Sequence, residues 1–74
     1  MKVKEATYVG GSLDGKLVRP SIVKASMHHK LPIMHTYEIP GADYPMAMTE
    51  YYSSEEKEGR VVFKLVKAET DELL

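Results

Sequence analysis

Seventy-four residues without a cysteine make one domain, with no room for a second core and no disulfide or thiolate zinc site to staple it. The formal charge is −1 with 28% charged residues of interspersed sign, so bulk electrostatics offers no attraction to DNA or to an anionic membrane. A hydrophobic content of 43% argues against global disorder, and apolar runs of two or three residues cannot span a bilayer. The opening Met1-Lys2-Val3-Lys4-Glu5 has no apolar secretory segment, so a cytoplasmic protein is expected. A chain this short buries only about 60% of its unfolded surface. Gaining burial by pairing, with a copy of itself or with another protein, is therefore expected.

Val3 to Val9 reads as the first strand, with Val, Thr and Tyr prominent. Gly10 to Gly15 is a glycine-rich turn, in which Gly15 can take positive φ and Asp14 can bond the backbone. Lys16 to Ala25 reads as a second strand interrupted by Pro20, which places it at an edge or bends it. Ser26 to Pro32 is polar and loop-like. Ile33 to Ile39 alternates, with Ile33, His35, Tyr37 and Ile39 on one face and Met34, Thr36 and Glu38 on the other.

Pro40 to Pro45 is turn chemistry. The last third reads as a hairpin: Met48 to Ser53 as a strand, Ser54 to Gly59 as the loop, and Arg60 to Ala68 as the best strand of the chain. Its Val61, Phe63 and Leu65 share one face. Glu69 to Leu74 is an acidic tail expected to fray. The fold expected is mainly β, with four to five short antiparallel strands in one sheet or a small open barrel and little or no helix. With so little helix, either the strands curl or a second subunit covers the exposed face.

Candidate chemistry is sparse. Gly10 to Lys16 fits G-x-x-x-x-G-K, but Leu17 stands where a magnesium-binding Ser or Thr belongs and a strand is expected where a helix should start. A structural turn is the simpler reading. The alternative, a phosphate or nucleotide site on Gly10, Gly11, Gly15 and Lys16, would use exposed amides in a concave loop.

His28, His29 and His35 show no metal-ligand spacing, and adjacent histidines on a strand point to opposite faces, so no metal or cofactor is expected. Asp14, Glu38, Asp43 and Glu50 lie near turns, with no spacing that pairs two of them for acid–base work. The serines have no nucleophile context, and an enzyme is not expected. Lys2, Lys4, Lys16, Arg19, Lys24 and Lys30 give the first thirty residues a cationic excess. Tyr8 is the one aromatic there to stack a base, which argues against nucleic acid.

Tyrosine and methionine are the more suggestive set. Tyr44, Met46, Met48 and Tyr51 cluster after the Pro-Gly turn, and both residue types are enriched at protein interfaces. They are the expected partner-binding residues.

The stretch Tyr8-Val9-Gly10-Gly11-Ser12-Leu13-Asp14-Gly15-Lys16 resembles the opening of small phage- and prophage-encoded proteins, where an aromatic strand leads into Gly-Gly-Pro-Leu-Asp-Gly and a second strand. Tyr51-Tyr52 through Arg60-Val61-Val62-Phe63 is similar to their closing hairpin. Ser12 stands where proline is usual, which is expected to loosen the turn. The resemblance covers about half the chain. It implies a phage setting inside a bacterial cytoplasm and not a mechanism. Small phage accessory proteins commonly act by binding a host or phage protein, so the expected function is a non-catalytic binder, with inhibition of a host protein or defence complex as one form of it.

Overall fold

The computed structural model describes residues 5–73, so Val3 and Lys4 of the first expected strand, Met1, Lys2 and the terminal Leu74 lie outside the described residues. The chain is mainly β: five strands in one mixed sheet form an open half-barrel, with one short helix. The elements are β1 (Ala6–Val9), a 3-10 turn (Gly11–Leu13), β2 (Leu17–Val18), α1 (Pro20–His29), β3 (Ile33–Glu38), β4 (Met46–Lys57) and β5 (Arg60–Glu72). Strand order across the sheet is β2-β1-β5-β4-β3.

Not every pairing is antiparallel, as the sequence reading had it. β1 runs parallel to β5, with Ala6 beside Val61 and Tyr8 beside Phe63, so the first strand meets the beginning of the last at the sheet centre. The apolar alternation of both strands places these four side chains on one face, where they meet Val18, Val23 and Tyr52 in the core. The Tyr8 and Tyr52 rings pack edge to face, 5.0 Å between centroids.

The run Lys16 to Ala25 is not one strand. β2 ends after Leu17–Val18, and Pro20 starts a ten-residue helix in the first position, with Arg19 extended before it. There proline loses nothing by lacking an N–H, and its fixed φ already suits a helix. The helix absorbs Ser26 to His29 of the expected loop and ends at Lys30, which is left-handed at φ 56°. The Leu31 amide donates to the Ser26 carbonyl at 3.1 Å, and the buried Ser26 hydroxyl donates to the Leu31 carbonyl at 2.5 Å. Val23 and Ser26 are the buried side chains of α1.

β3 alternates as its sequence predicts. Ile33, His35 and Tyr37 are half-buried on the helix side, and Met34, Thr36 and Glu38 are exposed. The hairpin between β4 and β5 turns in two residues rather than six, because Glu58 and Gly59 both take positive φ, 52° and 76°. That conformation matches the twist of the flanking strands.

Further along the ladder Tyr52 pairs with Leu65 but Tyr51 pairs with Lys67, so Val66 is an extra, bulged residue. Glu69–Glu72, expected to fray, pair with Met46–Thr49 as the end of β5, and the Leu73 amide donates to the Pro45 carbonyl at 2.8 Å. The β3–β4–β5 arm therefore runs well past the core, and the molecule measures 47 × 22 × 17 Å.

Candidate functional site

The glycine-rich turn closes over β4. Glu50 and Tyr52 point to the same side of that strand, and both are buried, at 4% and 0% exposure. The Ser12 amide donates to both Glu50 carboxylate oxygens, at 3.2 and 3.1 Å, and the Ser12 hydroxyl donates to Oε1. The Tyr52 hydroxyl donates to the Gly10 carbonyl at 2.9 Å and accepts from the Leu13 amide at 3.3 Å. Gly11 must be glycine: its φ is +69°, and a Cβ there would lie 2.5 Å from the Tyr52 hydroxyl and closer still to a Glu50 carboxylate oxygen.

The electrostatics follow from this geometry. Burial pushes the Glu50 carboxyl up, but the Ser12 hydroxyl and amide, the Tyr52 hydroxyl and the neighbouring His35 outweigh it and hold the carboxyl below its usual range. Burial raises the Tyr52 phenol; the Leu13 amide opposes that and the Glu50 carboxylate reinforces it, leaving a protonated donor. Buried carboxylate and buried phenol are both satisfied, and among the described residues no buried side-chain polar atom lacks a partner.

Of the seven backbone amides from Gly10 to Lys16, all but that of Gly11 are engaged within the protein. Gly10 donates to Asp14 Oδ1, Ser12 to Glu50 and Leu13 to Tyr52. Asp14 donates to the Gly11 carbonyl, Gly15 to that of Tyr8 and Lys16 to that of Leu13. The loop does cradle an anion, and the anion is the chain's own Glu50. Nor does Ser12 loosen the turn. It supplies two donors to Glu50, neither of which proline could offer.

The four expected partner-binding residues do not form one surface. Met46 and Met48 lie on the helix side of the arm, half-buried, with Met48 in register with Tyr37 of β3 and Met46 bonded to Ile39. Tyr44 is 52% exposed in the turn between β3 and β4. Tyr51 faces the opposite side, where its hydroxyl donates to Glu69 at 3.2 Å and Lys67 lies 5.4 Å over its ring while bonding Glu69 at 2.6 Å. Next to Met46 and Met48 on the β3 side lie Ile39 and Tyr37, both named from the alternation of β3 but not joined to the methionines by any sequence signal.

The histidines are separated by the fold. His28 and His29 stack edge to face in the last turn of α1, and His35 lies beside Tyr37 on β3. No group of three or more metal-ligating side chains occurs among the described residues. A cleft beside the end of α1 is lined by Met27, Lys30, Leu31, Pro32, Ser53 and Ser54, with Lys30 its one titratable side chain. Among the described residues no helix is long and apolar enough to cross a membrane. No known family, curated protein or solved structure matches the chain.

Proposed function

We propose that the protein is a non-catalytic protein–protein interaction module that engages its partner along the β3–β4–β5 arm. One observation carries the reading. The sheet continues past its core, so Tyr37, Ile39, Met46 and Met48 stay half-buried on the helix side, further along the arm than the cluster around Tyr52 and Phe63. Side chains of these types, only partly covered and next to an open strand, are the usual anchors of an interface. The likeness of Gly10 to Gly15 to phage-encoded proteins supports a phage accessory role in a bacterial cytoplasm, with a host protein or defence complex bound and inhibited.

The test is affinity capture with the tagged protein, followed by alanine substitution of Tyr37, Tyr44, Met46 and Met48. Loss of a captured partner by at least about tenfold, with the melting temperature retained, is the expected result. Capture unchanged by all four substitutions would remove the arm from the reading.

A second reading, a small structural protein of a virion, is favoured by the free edge of β3, which such assemblies use for pairing. The phosphate- or nucleotide-binding reading is less favoured, since six of the seven amides of the turn already serve Glu50, Tyr52, Asp14 and the turn itself.

A further inference from the structure

Among the described residues β3 is an edge strand with little of the usual protection, Glu38 at its end being its one charged side chain other than a histidine. It spans six residues, Ile33–Glu38, without proline, lysine or a bulge, whereas the opposite edge of the sheet, β2, is only two residues long. The Ile39 amide donates to the Met46 carbonyl at 2.8 Å, so the odd-numbered residues bond inward to β4. By the alternation of an antiparallel ladder, the N–H and C=O groups of Met34, Thr36 and Glu38 point outward. Those three side chains are exposed as well, Met34 at 64%.

From this we infer that the partner of β3 is β3 of a second copy, paired antiparallel about a two-fold axis through Thr36, so that two half-barrels share one continuous sheet. The inference rests on the reading of the protein as an interaction module and names what that module first engages.

Three features of the strand select this occupant and this register. The outward groups of Met34, Thr36 and Glu38 match those of Glu38, Thr36 and Met34 of the second copy, giving about six backbone hydrogen bonds. Registers shifted by two residues either way shorten the overlap.

The side chains also continue across the axis. On the outer face the Thr36 hydroxyl already bonds that of Thr49 at 2.9 Å, and pairing Thr36 with itself extends this to a row of four threonines. On the helix side Met46 and Ile39 would be continued by Ile33, Tyr52 and Leu65 of the second copy, an unbroken apolar row. His35 would face Tyr37, repeating the ring contact each chain already makes at 5.5 Å.

Charge completes the match. Lys30 precedes the strand, and Glu38 and Asp43 lie at and beyond its end. Antiparallel pairing sets the cationic flank of each copy beside the acidic flank of the other, twice, which parallel pairing would not do.

The chain has no cysteine, so single engineered thiols report the register without background. In T36C the two sulfurs face each other across a bonded pair with Cα atoms about 5.5 Å apart, inside the disulfide range. In M34C they are about 14 Å apart along the strands, outside it. Mild oxidation should give a covalent dimer from T36C and not from M34C, and light scattering on the unmodified protein should give twice the mass of the 8.3 kDa chain.

Thr36→Pro removes an outward N–H that the monomer does not use and should halve the mass while leaving the β signal in circular dichroism intact. Should that variant fail to fold, Thr36→Lys places two like charges opposite each other from an exposed site and should weaken the dimer at least tenfold. A monomer up to millimolar concentration, or equal cross-linking of M34C and T36C, overturns the inference. Either result leaves the interaction reading to its own test, since loss of a captured partner in the alanine series does not depend on self-pairing.

Discussion

The backbone amide of Ser12 lies 3.1 Å from the Glu50 carboxylate, 38 positions along the chain, and this bond ties a glycine-rich turn to the middle of the longest hairpin. It is charge-assisted and part-buried, a class of hydrogen bond about twice as strong as a neutral one. It adds a charged anchor to a turn that the Tyr52 hydroxyl and the backbone of Tyr8 also hold in place.

Glu50→Gln keeps the shape and removes the charge, leaving an NH2 group to face a donor. The expected cost is about 1.5–3 kcal/mol, read as a fall in melting temperature of about 4–8 °C per kcal/mol. The pH dependence has a defined sign. The folded-state pKa of Glu50 is depressed, so its contribution is complete above the unfolded value and lost as pH falls through the folded one. Stability should decline below about pH 4.5, and the variant should show a flatter acid limb. Glu69 is also lowered, by its bond to Lys67 and then by Tyr51, but it is exposed and screened by salt. At high salt the remaining difference between the two proteins isolates Glu50.

Gly11→Ala and Gly15→Ala should differ sharply. Both positions have positive φ, 69° and 81°, and so share a backbone cost of about 1–2 kcal/mol. Nothing lies within 4 Å of a Cβ at position 15, whereas at position 11 it meets Glu50 and the Tyr52 hydroxyl. Urea denaturation should therefore rank Gly11→Ala as clearly the worse of the two.

Ser12→Pro restores the residue usual in the phage-encoded turn and deletes both donors to Glu50. Alone it should destabilise by at least about 1.5–3 kcal/mol, since a buried carboxylate loses its partners. Combined with Glu50→Val the cost should shrink, and a double-mutant cycle should give a coupling of about 0.5–3 kcal/mol. An additive result would show that the turn and Glu50 are not coupled.

Lys30→Gly should stabilise the protein. Lys30 occupies the left-handed position that ends α1, where glycine avoids a Cβ clash of about 1 kcal/mol. Thermal melting monitored at 222 nm measures the gain.

Much of the sheet was readable from period two. The faces of β3, the core side of Val61 and Phe63, and the turns at Gly10 and Pro40 all follow from alternation and turn residues. The helix was not readable that way, because Leu17, Val18, Ile22 and Val23 are β-formers and Pro20 looked like damage to a strand instead of the first residue of a helix. Proline followed by Ile22, Val23 and then Ser26 at a spacing of three was the available signal. The Glu50 site was illegible for another reason. Glu50 stood out only as an unpaired carboxylate, and its partners are backbone amides that every residue has. Only the fold selects them.

The parallel pairing of Ala6–Val9 with Val61–Lys64 has a consequence for how the chain reaches its native state. β1 completes its core with a strand made more than fifty residues later, so on the ribosome Ala6 and Tyr8 wait for Val61 and Phe63 to emerge. Such long-range closure slows folding, because the entropy of bringing distant segments together comes before the contacts that reward it. The helix and the β4–β5 hairpin can form from local contacts, and docking of β1 is the step at which Ala6 and Tyr8 join Val61 and Phe63 in the core.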